Sequence, residues 1–100
     1  MKYKAYLLLG ANLGDRATNL QMARSLIENS AGTILMSSSI YESAAWGKED
    51  QPDFLNQVIC ISTSLNPHAL LEKLSWIEIS LGRLREVKWG ARLIDIDILF

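Results

Sequence analysis

Asp95-Ile96-Asp97 closes the run Lys88-Trp89-Gly90-Ala91-Arg92-Leu93-Ile94-Asp95-Ile96-Asp97-Ile98-Leu99, in which an aromatic-glycine turn and an arginine lead into an apolar strand bearing two carboxylates. Successive strand side chains point to opposite faces, so Asp95 and Asp97 share one face while Ile94, Ile96 and Ile98 share the other. The isoleucines anchor the strand and hold the carboxylates two residues apart on a stiff support. Hard oxygen ligands so placed suit Mg²⁺, with phosphate oxygens completing its shell. Arg92 stands three residues before Asp95, and Arg83, Arg85 and Lys88 lie just upstream. Cations beside metal-binding carboxylates make a phosphate site, so the chain reads as a nucleotide-using enzyme. Taken alone, Asp-x-Asp would do no more than protect an exposed strand edge; the basic residues favour the metal.

A second group lies between Ala44 and Asn56. Phe54 and Asn56 share a strand face, and Trp46 sits in the loop leading to them. Two aromatics and a carboxamide can hold a flat heteroaromatic ring, the aromatics by stacking and the amide as donor and acceptor to the ring edge. Spacing alone favours a plainer arrangement, with Phe54 in the core and Trp46 anchoring a loop. Ser75 and Glu78, three apart on a helix, either line an edge of a site beside the terminal strand or form a solvated face. His68 is the only histidine; in the first turn of a helix it suits a local surface role better than catalysis. Without a second histidine or more cysteines, neither a Ser-His-Asp nor a zinc arrangement can be assembled. Cys60, inside Val58-Ile59-Cys60-Ile61, reads as a small buried hydrophobe. Gly10-Ala11-Asn12-Leu13-Gly14-Asp15 follows a strand and precedes a helix, yet lacks both the Gly-Lys-Ser/Thr ending of a P-loop and the glycine spacing of a dinucleotide fingerprint. It reads as a structural turn.

These residues need elements to position them. One hundred residues suit one domain over 1–100, with about two thirds of the unfolded surface buried. Apolar residues make up 49%, charged residues 21% and the net charge is −1, which leaves no disordered tract and no general affinity for nucleic acid. Residues 83–92 differ locally, holding four basic side chains against Glu86 alone, a patch sized for a small anion. No leader and no apolar run of membrane-spanning length is present in the sequence, so a cytoplasmic protein without membrane contact is expected.

The apolar run at residues 3–9 predicts a largely buried strand stopping at Gly10. Asp15 is a plausible N-cap for a helix of about fourteen residues carrying Leu20, Ala23 and Ile27, broken near Ala31-Gly32. Residues 33–42 and 54–63 predict two strands joined by a long loop. Asn66-Pro67 opens a second helix whose stripe Leu70, Leu71, Leu74, Ile77 and Leu81 ends at Gly82, and after a loop over 82–91 a last strand begins near Leu93. The expected fold is α+β, a ferredoxin-like β-α-β-β-α-β arrangement with a four-stranded antiparallel sheet and two helices on one face.

Assembled, the motifs resemble the 6-hydroxymethyl-7,8-dihydropterin pyrophosphokinases of folate biosynthesis. The resemblance spans the chain and rests on Leu9-Gly10-Ala11-Asn12-Leu13-Gly14-Asp15, on Asp50-Gln51-Pro52-Asp53-Phe54-Leu55-Asn56 and on the segment from Lys88 to Asp97. It implies transfer of the terminal diphosphate of ATP onto the hydroxymethyl group of a reduced pterin, leaving AMP. Asp95 and Asp97 would hold two Mg²⁺ ions with ATP, Asp95 also bordering the pterin. Arg83 and Arg92 would be catalytic cations and, with Ser75, Glu78, Lys88, Trp89 and Ile98, would bind ATP. Ser43, Ala45, Trp46, Phe54 and Asn56 would form the pterin pocket. Ala44 and Ala45 stand where the family often has prolines, and Ser75 where a glutamine is common. The resemblance further implies a monomer with ATP and 6-hydroxymethyl-7,8-dihydropterin as partners, a lid at 82–91, and a C-terminal segment of the family that this chain lacks. The competing expectations are a non-catalytic ferredoxin-like ligand-binding module and an inactive remnant. An RNA-binding sheet would need exposed aromatics among basic residues, whereas Ser37, Ser38, Ser39 and a near-neutral chain are offered here.

Overall fold

The apolar run that begins at Tyr3 forms β1 (Tyr3–Ala11) and carries through Gly10 instead of stopping before it. The computed structural model describes residues 1–44, 52–84 and 93–99, positions 83 and 84 by backbone alone. Asp15 caps α1 (Arg16–Ser30): its carboxylate accepts the Thr18 amide at 3.1 Å, satisfying a first-turn donor that has no partner inside the helix. Asn66 does the same for α2 (Pro67–Leu84), accepting the Ala69 amide at 2.8 Å, while Pro67 occupies a first-turn position that needs no N–H. The second helix passes through Gly82 and ends at Leu84. Of its expected stripe, Leu70, Leu74, Ile77 and Leu81 are buried but Leu71 is exposed. One residue turns a helix by about 100°, which carries Leu71 away from the face that Leu70 buries.

The remaining elements are β2 (Thr33–Ser37), β3 (Tyr41–Ser43), β4 (Phe54–Thr63) and β5 (Asp95–Leu99). They form one antiparallel sheet in the order β2-β4-β1-β5, with β3 also paired to β4. The described sheet therefore has five strands, not the expected four, because the run at 33–42 is broken. Its register shifts between Ile34 and Met36, and Ser38 then bonds to β4 outside regular pairing. The Ser38 amide donates to the Val58 carbonyl at 2.8 Å, its hydroxyl accepts the Val58 amide at 2.9 Å, and its carbonyl accepts from Gln57 Nε2 at 2.8 Å. A serine side chain competing for a ladder donor ends β2 and lets the chain restart as β3.

Both helices cover one sheet face. Leu7, Leu9, Ile59, Ile61, Ile94 and Ile96 meet Leu20, Ala23 and Ile27 of α1 and the buried stripe of α2 in a single core cluster. Each such leucine or isoleucine contributes about 1.5–3 kcal/mol when fully buried, so the helix-covered face supplies the stability. The opposite face carries the alternate residues of the same strands. The end of α1 is fastened to β4 by Thr63, whose hydroxyl donates to the Ala31 carbonyl at 2.6 Å. Gly32 next to it lies so close to β4 that a Cβ there would collide with the Ser62 carbonyl oxygen.

Gly32→Ala should therefore cost about 1–3 kcal/mol in urea denaturation, the usual penalty for crowding a packed interior. Gly82→Ala is the control: among the described residues nothing lies within 4 Å of a Cβ at that helical position, and the substitution should stabilise by up to about 1 kcal/mol. Equal midpoints for both variants would contradict the packing described.

Candidate active site

β1 is paired on both sides, and its register lines up residues from three strands. Gly10 stands between Asn56 of β4 and Asp95 of β5, and Leu8 stands between Val58 and Asp97. All six side-chain positions lie on the face away from the helices. Together with Ser43, Ala44 and Phe54, all of these except Val58 frame a cleft of about 420 Å³ floored by Leu8 and Gly10, with Asp95 and Asp97 along one side.

Gly10 keeps the floor low. A Cβ there would sit 3.3 Å from Asn56 Oδ1 and 3.6 Å from the Phe54 ring, so both side chains lean over the glycine. Asn56 is buried, and its Nδ2 donates to Ser43 Oγ at 2.7 Å and to the Tyr41 carbonyl at 3.4 Å. The amide is fixed by β3, with its oxygen on the Gly10 side. Phe54 is only partly buried and belongs to the cleft, not to the core that spacing alone favours. A ring face, a fixed amide and a bare floor suit a flat, polar-edged heteroaromatic molecule.

The carboxylates beside that seat suit a metal that brings other ligands with it. Asp95 is partly buried and Asp97 exposed, and they lie on one strand face as the alternation requires. No group of three or more His, Cys, Asp or Glu residues that could hold a metal occurs among the described residues. Two carboxylates with the remaining ligands drawn from phosphate and water is the set Mg²⁺ commonly takes.

The strand that supplies Phe54 and Asn56 is held from a distance. Asn12 Nδ2 donates to the Pro52 carbonyl at 3.4 Å, and Arg16 Nη1 donates to the Asp53 carbonyl at 2.8 Å. The same guanidinium lies 3.9 Å from Glu42 of β3. The turn after β1 thus braces both chain segments that flank the cleft wall, and Asn19 steadies that turn by donating to the Leu13 carbonyl at 2.9 Å. Gly14, at φ 63°, takes the left-handed conformation the turn needs. Sequence reasoning treats this segment as a turn and misses Asn12 and Arg16 as braces; their partners lie 40 and 37 residues away.

Ser43, Phe54, Asn56, Asp95 and Asp97 are thus gathered in one cleft. Glu78 is on α2 and accepts the Ile96 amide at 2.9 Å, Ser75 is exposed on α2, and Ile98 lies on the helix side of β5 against the core. Arg83 falls in the last turn of α2. Ala45, Trp46, Lys88, Trp89 and Arg92 lie outside the described residues, as does most of the expected lid at 82–91.

The family model for 7,8-dihydro-6-hydroxymethylpterin-pyrophosphokinase matches residues 6–100. The 2-amino-4-hydroxy-6-hydroxymethyldihydropteridine pyrophosphokinase of Bacillus subtilis is 52% identical over 96 residues, covering 95% of this chain and 58% of that protein. Its counterpart from Methylorubrum extorquens is 46% identical over 100 residues, covering 96% of this chain and 61% of the relative. The chain thus spans about three fifths of the length of these relatives. Among solved structures, a Plasmodium falciparum HPPK-DHPS triple mutant superposes with a TM-score of 0.77 at 20% identity, over 100% of this chain and 27% of the other. At that identity the likeness speaks to fold alone.

Arg16→Ala should release the brace on β4. The expected result is a loss of about 1 kcal/mol, with faster amide hydrogen exchange at Phe54 and Leu55 and unchanged protection at Ile59 and Ile61. Uniform exchange along β4 in the variant would show that Arg16 holds nothing in place.

Proposed function

This chain belongs to the 7,8-dihydro-6-hydroxymethylpterin-pyrophosphokinase family, and on that footing we propose that it carries the core of an ATP-dependent diphosphotransferase of folate biosynthesis. The terminal diphosphate of ATP passes to the hydroxymethyl group of 6-hydroxymethyl-7,8-dihydropterin and AMP leaves. One observation carries the reading: the register of β1 sets a seat for a flat ring, formed by Gly10, Phe54 and Asn56, directly beside Asp95 and Asp97. A seat for the acceptor next to ligands for a phosphate-bound metal is what transfer onto a pterin requires.

In this reading the pterin lies over Gly10 with its face to Phe54 and its polar edge at the Asn56 amide, which Ser43 fixes. Asp95 and Asp97 would hold two Mg²⁺ ions together with ATP, which when bound would supply neutralisation of phosphate charge and a lower proton affinity for the acceptor hydroxyl. The hydroxymethyl oxygen bonds to the β-phosphorus, the bond from that phosphorus to the α-bridging oxygen breaks, AMP takes the electron pair, and the hydroxyl proton passes to solvent. No covalent intermediate on the protein is needed; positioning and charge neutralisation suffice. By the family resemblance, Arg83, Lys88, Trp89 and Arg92 would bind the nucleotide, with Arg92 the cation that matters most to the charged transition state.

The finer features belong to the same proposal. Reading β2 and β3 as one strand interrupted at 38–40 gives the β-α-β-β-α-β order of ferredoxin-like folds. The protein acts as a cytoplasmic monomer on two small molecules, without nucleic acid or membrane. No helix among the described residues is long and apolar enough to cross a membrane. Family membership weighs against the non-catalytic module.

The test is incubation with ATP, Mg²⁺ and 6-hydroxymethyl-7,8-dihydropterin, followed by assay for AMP that forms only when the pterin is present. Asp95→Ala should lower that rate by about 10³-fold, consistent with loss of several kcal/mol of charge stabilisation. Pterin-independent AMP, or an Asp95→Ala variant as fast as the parent, would overturn the assignment.

A further inference from the structure

α2 delivers a carboxylate to the strand that carries the two aspartates. Glu78 Oε2 accepts the backbone amide of Ile96 at 2.9 Å, and Ile96 is the residue between Asp95 and Asp97. Among the described strands β5 pairs only with β1, so its other backbone edge faces away from the sheet. An amide on that edge has no ladder partner, and a partly buried donor without one is costly. Glu78 meets this need with a charge-assisted bond, stronger than a neutral one. The Ile96 side chain is 6% exposed in the core, so this residue is gripped from two directions. Its neighbours on either side can then swing little, and both neighbours are the carboxylates.

We infer that Glu78 is a positioning residue for the Asp95–Asp97 pair, acting through the Ile96 amide to set the spacing and aim of the two carboxylates toward a divalent cation. The family resemblance puts Glu78 near ATP; the geometry also gives it work on the strand. The inference rests on the proposed metal-holding role of Asp95 and Asp97. Loss of the bond leaves both carboxylates in the chain but frees the backbone between them to twist, so metal affinity falls although no metal ligand has been removed. A glutamine keeps an acceptor oxygen for Ile96 and loses only the charge.

The experiment measures Mn²⁺ binding by electron paramagnetic resonance, with a non-hydrolysable ATP analogue present, and amide hydrogen exchange at Ile96, in the parent, Glu78→Ala and Glu78→Gln. Glu78→Ala should weaken Mn²⁺ binding about tenfold, the lower end of the usual effect of removing a group that orients metal ligands, and should accelerate exchange at Ile96. Glu78→Gln should restore most of both. Parent-like Mn²⁺ binding by Glu78→Ala would overturn the inference. So would a Glu78→Gln variant that protects Ile96 yet binds Mn²⁺ as poorly as Glu78→Ala, since charge and not position would then be what matters. A parent protein that binds no Mn²⁺ would instead bring down the metal reading of the aspartates, and this inference with it.

Discussion

β1 is hydrogen-bonded to β4 on one side and to β5 on the other, and its register with each decides what stands beside Gly10. Strand side chains alternate, so a slip of one residue in either ladder would send Asn56 or Asp95 to the helix-covered face and bring an isoleucine or leucine out to the cleft. Such a slip is opposed by the core. Leu7, Leu9, Ile59, Ile61 and Ile96 are all buried under the helices, and exposing even two of them would cost several kcal/mol, a large share of the stability of a chain this size. The cleft geometry is therefore enforced from the other side of the sheet by residues that touch no ligand.

This separation of faces explains the composition of the strands. In β5 the same five residues serve both ends: Ile96 and Ile98 pack toward the core while Asp95 and Asp97 look into the cleft. In β4 the alternation runs from Phe54 and Asn56 at the cleft to Ile59 and Ile61 beneath the helices. The turn at residues 12–16 and the helix α2 add braces from outside the sheet, Arg16 onto the start of β4 and Glu78 onto the middle of β5. Both braces grip backbone groups, so they constrain the path of the strand.

Much of this was legible in the sequence because it depends on local rules. Asp15 and Asn66 announced their helices through short polar side chains suited to capping, and the Asp95-Ile96-Asp97 alternation announced a two-faced strand. Phe54 and Asn56 could be placed on one face by spacing two apart. What escaped depends on contacts between distant residues. The division of the 33–42 run into β2 and β3 follows from Ser38 bonding to residues 57 and 58. The helix continues past Gly82 because nothing there requires a turn, and Leu71 is exposed because the α2 stripe is narrower than its leucine content suggests. The sequence places Asn12 in a turn and Arg16 at the start of a helix, and no sequence pattern reveals a carbonyl nearly forty positions away.

We propose that one face of the sheet, centred on Gly10, holds both a ring seat and the carboxylates that would bind the metal. This is tested most directly by paramagnetic broadening in amide nuclear magnetic resonance spectra as Mn²⁺ and a non-hydrolysable ATP analogue are added. The account predicts that Gly10, Asn56, Asp95 and Asp97 broaden first while His68 and Ala69, at the start of α2, stay sharp. Broadening centred on the apolar pocket around Tyr3, Leu65 and Leu70, with the Gly10 row untouched, would contradict it.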